Sequence, residues 1–170
     1  MNYTALLHWG AVVPSWYRDL VIFTADWFAY VLIAAAFVVG IVAFWDNYRA
    51  TFHYVLEVCV AALFGRYVLI EIIRLFVQTT RPFAALNFTP LIDPVHELSF
   101  PSGHTTVLVG IALIAWRVNR KAGIALLIGG LIVGVARVLA GVHWPIDILG
   151  GIVLGTLSAY LVHYVSQKIS

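Results

Sequence analysis

The sequence predicts an all-α, polytopic transmembrane helix bundle, with about five spanning helices plus an N-terminal interfacial or re-entrant segment. Two observations carry this expectation. Hydrophobic residues make up 62% of the 170 and charged residues only 11%, whereas soluble domains carry about a quarter charged. The apolar residues also come in long continuous runs. Barrel strands would alternate, so helices are the form that can satisfy this backbone in lipid.

Taken in order, residues 1–20 have no basic start, and Arg18 and Asp19 come late, so no signal peptide is expected there. Tyr3, Leu6, Leu7, Trp9, Trp16 and Tyr17 suit a segment at the membrane surface or a short re-entrant piece. Five apolar spans follow, at about 21–45, 54–77, 105–118, 122–140 and 146–165. Most approach the roughly 20 residues that a crossing needs, and the third is short. The one long connection, 78–102, holds Pro82, Pro90, Pro94 and Pro101 with Asn87, Asp93 and Glu97, and reads as a functional loop. The whole chain, 1–170, reads as one membrane-embedded domain, and the sequence leaves its oligomeric state open.

The net charge of +2 is too small to argue for nucleic acid. The single cysteine, Cys59, excludes an internal disulfide framework and a cysteine metal cluster, and a buried structural thiol is expected. Five crossings place the N-terminus, the long loop and the 137–147 turn on one face. The other face collects Arg49, Arg117, Arg120, Lys121 and Lys168. The first face has Arg18, Arg74, Arg81 and Arg137, of which the last three are better explained by a site. Basic residues then favour the second face as cytoplasmic, which turns the site-bearing face outward.

Charges within apolar spans are costly and call for partners or functions. Glu71 and Arg74 are three apart and can pair on one helical face. Asp26 is a candidate partner for Arg66, and Glu57 can snorkel at its span's end. A sharper pattern lies at the helix ends of the outward face. Arg74 closes the second span, Arg81-Pro82 opens the loop, and Pro101-Ser102-Gly103-His104 opens the third span. "ARVLAGVHWPID" then brings Arg137, His143 and Asp147. Each residue alone is compatible with a helix cap, a snorkelling cation or an interfacial belt. Together, from three segments on one face, they point to an oxyanion site, most simply for phosphate.

The chemistry requires such residues. Guanidinium groups bond phosphate oxygens in pairs and stay charged. Ser102 suits the N-cap of the third span, and Gly103 lets an anion approach the helix amide end. Gly141 suits the end of the fourth helix and Pro145 the first turn of the fifth, which sets His143 in the tight turn between them. Asp147, four residues on, can hold one imidazole nitrogen and leave the other as a nucleophile, with His104 as proton donor. Spacing alone leaves open which histidine attacks. Metal binding by two histidines and an aspartate is the weaker alternative, since three arginines repel a divalent cation. Neither a metal nor a cofactor is expected.

Arg74 with "RPF" at 81–83, "PSGH" at 101–104 and "ARVLAGVHWPID" at 136–147 resemble the three-part signature of the type-2 phosphatidic acid phosphatases, the membrane relatives of vanadium haloperoxidases. The signature region covers 74–147. Two positions depart from the family pattern: Arg74 stands where lysine is usual, and Ala136 where serine is usual. The resemblance implies a metal-independent phosphatase with a phosphohistidine intermediate. It assigns His143 as nucleophile, Asp147 as its support and His104 as acid and then base. It gives Arg74, Arg81, Ser102, Gly103 and Arg137 to the phosphate oxygens. Within the family, the short length, "RPF" and "FPSGHTT" look most like bacterial undecaprenyl-diphosphatases of the cytoplasmic membrane, whose site faces the outer side. Phosphatidylglycerophosphate, phosphatidate and lipid A phosphatases, or a lipid phosphotransferase, share the motifs. A non-enzymatic transporter or anion-binding scaffold is the reading outside enzymology.

Overall fold

The computed structural model describes residues 14–93 and 98–169, which are almost entirely helical. The expected surface segment falls mainly on residues 1–13, and Pro94 and Glu97 of the loop also lie outside the described residues. The first rod comprises α1 (Ser15–Ile22), a π turn (Phe23–Trp27) and α2 (Phe28–Ala43). Trp16 and Tyr17, expected at the surface, instead belong to this rod. The Tyr17 and Arg18 amides bond to Pro14 O, so the helix starts six residues before the expected Val21. Val21, Ala25, Ala29, Leu32, Ala36 and Gly40 form its buried stripe, at steps of three and four.

The second rod runs over 48–74: α3 (Tyr48–Phe64), a π turn (Gly65–Leu69) and α4 (Ile70–Arg74). Asn47 caps it, accepting from Ala50 N at 3.1 Å. Its buried positions step through Tyr54, Val58, Ala61 and Gly65, then jump five to Ile70 and on to Arg74. In an unbroken α-helix a residue five on would point about 140° away. The π turn absorbs the extra residue and keeps Arg74 on the buried face.

The connection 75–102 is not wholly irregular. It contains α5 (Pro82–Leu86), ended by Asn87 in the left-handed region (φ 53°), and an antiparallel bridge of Thr80 with Leu98. α6 (Gly103–Val118), α7 (Arg120–Leu139) and α8 (Pro145–Ile169) complete the bundle. Asn119 caps α7, accepting from Ala122 N at 3.1 Å.

Three of these helices are long and apolar enough to cross a membrane by themselves: Ser15–Ala43, Arg120–Leu139 and Pro145–Ile169. The other two expected spans are helical but differ in kind. Rod 48–74 carries Glu57, Arg66, Glu71 and Arg74 along its length. α6, with 16 residues, measures about 24 Å against a hydrocarbon core of about 30 Å. It can be short because it is the central helix, packed by α2, α3, α7 and α8 and buried on most sides. α8 is brought against it by glycine. A Cβ on Gly151 would lie 2.7 Å from Thr105 Cβ and 2.9 Å from Ser102 O, and one on Gly155 would lie 2.9 Å from Val109 Cβ. Small residues at a helix crossing let backbones approach in this way. This contact sets the start of α6 against the start of α8, where the polar motifs meet.

Candidate active site

The turn between α7 and α8 is built by local chemistry. Gly141, at φ 79°, follows the last helical residues, with Gly141 N bonded to Val138 O and Val142 N to Arg137 O. That paired arrangement satisfies the carbonyls left over at a helix end. Pro145 opens α8, and Asp147 in its first turn reaches back to the Trp144 amide at 2.7 Å. His143 is thereby held between two capped helix ends, buried at 3% exposure.

Asp147 organises the centre. Its Oδ2 accepts from Trp144 N, from Ser99 Oγ, and from His143 Nδ1 at 3.2 Å. A carboxylate oxygen accepts and does not donate, so Nδ1 carries the proton and Nε2 offers its lone pair. Burial lowers the His143 pKa to about 4; the Asp147 hydrogen bond opposes this, while the positive Arg137 and Arg81 reinforce it. Near neutral pH the imidazole is therefore uncharged.

The three expected arginines are all buried, Arg74 at 9%, Arg81 at 4% and Arg137 at 6% exposure. Each is anchored through Nη1: Arg74 to Glu71 Oε1 at 3.0 Å, Arg81 to Val142 O at 2.8 Å and Arg137 to Ala25 O at 2.9 Å. The buried Nε of Arg74 and of Arg137 have no hydrogen-bond partner among the described residues. Burial lowers the Arg81 pKa, as do the nearby charges of Arg74 and Arg66, with Asp147 acting the other way. Desolvated like charges with spare donors are costly unless an anion joins them. The arrangement suits a phosphoryl group.

Ser102 is buried at the N-cap of α6, as expected, but its hydroxyl does not cap the helix. Its Oγ accepts from Thr105 Oγ1 at 3.2 Å, and its amide donates to Asp147 O at 3.0 Å. Gly103 and His104 form the first turn of α6. The charges of Arg137, His143, Arg66 and Arg81 all act on His104. All eight expected site residues thus belong to one neighbourhood.

Other expectations need correction. Arg66 pairs with Glu71 at 3.7 Å, not with Asp26, because both lie toward the Arg74 end of one rod, while the charge of Asp26 acts on Arg137. Glu57 faces His163 at 3.3 Å rather than simply snorkelling. Cys59 is only partly buried. Ser99 and Trp144 add contacts that sequence reasoning missed. Ser99 is fully buried on Asp147, and the Trp144 indole donates to Thr80 O at 2.9 Å. The sole sequence signal for Ser99 is a small polar residue just ahead of "PSGH". Among the described residues, no three His, Cys, Asp or Glu side chains gather as a metal-ligand set.

With this geometry in view, similarity to known proteins falls into place. The family model of the PAP2 superfamily matches residues 54–170, and the chain belongs to that superfamily. It is thus a multi-pass membrane phosphatase of the type its three motifs resemble. Among its relatives, the bacitracin transport permease protein BcrC of Bacillus licheniformis is 30% identical over 162 residues, 92% of this chain and 75% of the relative. The undecaprenyl-diphosphatase BcrC of Bacillus subtilis (strain 168) is 31% identical over 156 residues, covering 92% and 76%. The crystal structure of the transmembrane PAP2-type phosphatidylglycerolphosphate phosphatase of Bacillus subtilis aligns at TM-score 0.63 and 26% identity, over 98% of this chain and 83% of that one. Aquifex aeolicus LpxE shares the fold at TM-score 0.70 and 22% identity, over 96% and 94%.

Proposed function

We propose that this enzyme removes the terminal phosphate of a lipid (di)phosphate, with undecaprenyl diphosphate, converted to undecaprenyl phosphate, as its preferred substrate. The observation that carries the reading is the neutral His143, held through Nδ1 by Asp147 and surrounded by buried arginines. The relatives named undecaprenyl-diphosphatase support the substrate.

In the proposed reaction, His143 Nε2 attacks phosphorus in line. A P–N bond forms and the P–O bond to the leaving group breaks, its electron pair passing to that oxygen. His104 supplies the proton there. Water then attacks the phosphohistidine with His104 as base, which releases phosphate and restores the imidazole. Arg74, Arg81 and Arg137, with the Ser102 hydroxyl and the Gly103 amide, hold the non-bridging oxygens as charge redistributes. No metal or cofactor enters. The chain acts as one domain, 1–170, in the cytoplasmic membrane. The distribution of basic residues supports a site facing the periplasmic or extracellular side, and the lipid tail lies in the bilayer.

The test is phosphate release by purified protein in excess chelator, from polyprenyl diphosphate, phosphatidate, phosphatidylglycerophosphate and lipid A. Preference for the first is expected; preference for another would replace the substrate, and dependence on an added divalent cation would overturn the metal-free mechanism. The relative named as a transport permease favours a second reading, in which the chain moves a solute. That reading predicts that a His143→Ala chain still transports.

A further inference from the structure

Arg66 has no role in the reaction described so far, yet it lies at the site. The guanidinium rests on the first turn of α6: a Cβ on Gly103 would lie 2.9 Å from Arg66 Nε and 3.4 Å from its Cζ. Arg66 and His104 line the same cavity, of about 140 Å³, between the first rod, the second rod and α6. The rest of that lining is largely apolar, including Ala29, Ile33, Val107 and Leu108. Arg66 is partly buried, at 23% side-chain exposure. Its ion pair with Glu71, at 3.7 Å, is longer than a hydrogen bond, and Glu71 is half exposed at 52%. A guanidinium carries five N–H donors, and this contact engages them weakly.

The position of His104 gives this cavity a meaning, one that rests on the phosphatase reading. His104 protonates the leaving oxygen, so its side of the phosphoryl group is the leaving-group side. For a phosphate monoester the leaving group is a neutral alcohol. For a diphosphate it is a lipid phosphate, an anion whose second pKa is about 6. The proton from His104 offsets only part of that charge, and a cation beside it would balance the rest. We infer that Arg66 binds the retained phosphate of a lipid diphosphate, with the first carbons of its tail along the apolar wall, and so selects diphosphates over monoesters. Arg74, Arg81 and Arg137 then serve the transferred phosphate and Arg66 the one that stays.

The experiment measures kcat/KM for polyprenyl diphosphate and for phosphatidate on the same preparation of wild type, Arg66→Met and Arg66→Lys. The ratio of the two values does not depend on the fraction of folded protein. For Arg66→Met the diphosphate/phosphatidate ratio is expected to fall at least about tenfold, the loss of one charge-assisted contact. Arg66→Lys, which keeps the cation without the fork, is expected to fall between Met and wild type. An unchanged ratio in Arg66→Met, with both activities intact or both reduced equally, overturns the inference. If Arg66→Met yields no folded protein, Arg66→Lys decides: an unchanged ratio there, together with unchanged KM for the diphosphate, likewise overturns it. If wild type hydrolyses neither lipid, the phosphatase reading itself has failed, which is a different outcome.

Discussion

Two histidines in this bundle sit beside carboxylates at nearly equal distance. His143 Nδ1 is 3.2 Å from Asp147 Oδ2, and His163 Nδ1 is 3.3 Å from Glu57 Oε2. Their settings differ. His143 and Asp147 are 3% and 0% exposed, His163 and Glu57 are 23% and 18%. Asp147 also accepts from Ser99 and Trp144, and Arg81 and Arg137 act on His143. Glu57 lines an otherwise largely apolar cavity, about 24 Å along the bundle from the first pair. A His–carboxylate contact is therefore not a site by itself. Fixed orientation, a neutral ring and neighbouring cations set the proposed site apart.

The most severe test of this contrast removes the first imidazole. His143→Ala is expected to lower phosphate release about 10⁴-fold or more, the scale of losing a catalytic nucleophile. Acid-labile, base-stable phosphate should be trapped on wild type by rapid quench and be absent from the variant. Retention of more than about a tenth of the activity would end the nucleophile assignment. Asp147→Asn keeps the volume but removes the acceptor that fixes the ring, and a loss of about 10² to 10⁴-fold in kcat is expected. Ser99→Ala deletes one of three donors to the same oxygen, and about a tenfold loss is expected. If Ser99→Ala equalled Asp147→Asn, the serine would be doing more than orienting the carboxylate.

This ordering also marks how far the sequence could be read. The turn into α8 was legible because it is written in local chemistry: Gly141 takes a positive φ and Pro145 starts α8. The gathering of Arg74, Arg81, His104, Arg137, His143 and Asp147 was legible because all stand at helix ends on one face. Two things were not. Ser99 meets Asp147 across 48 residues of sequence, a distance that no periodicity reports. The π turn at Gly65–Leu69, which keeps Arg74 on the buried face, breaks the 3.6-residue period on which the sequence reading rests. The same shift brings Arg66 and Glu71, five residues apart, toward one face, a pairing that α-helical spacing does not suggest.

A subtler difference lies in proton binding. Folded His143 binds a proton near pH 4, against about 6.5 for an unperturbed histidine. Between those values the unfolded chain holds more protons than the folded one, so stability rises with pH across this window. The gain is complete above about pH 6.5 and is lost as pH falls toward 4. It amounts to a few kcal/mol at most, on the order of 1.4 kcal/mol for each unit of pKa difference. The melting temperature of detergent-solubilised protein, followed from pH 7 to 4.5, should fall less steeply in His143→Gln than in wild type. Equal slopes would mean that His143 is not held neutral. For the free enzyme, kcat/KM should show no inflection near pH 6.5 attributable to this ring.

The smallest effect is expected at the other pair, and it is the one that most sharpens the comparison. His163→Gln keeps a polar side chain of similar reach beside Glu57 and removes only the imidazole. A partly exposed pair of this kind is worth about 1 kcal/mol or less, so a melting shift of a few degrees is expected, with phosphate release within about twofold of wild type. Residues 145–169 form one continuous helix, so any large strain at His163 would travel to Asp147 at its start. A small response in both activity and stability would mean that α8 is a rigid carrier with chemistry at one end only. If activity fell a hundredfold while the melting temperature stayed put, the distal pair would itself be functional, and the distinction drawn between the two histidines would have to be abandoned.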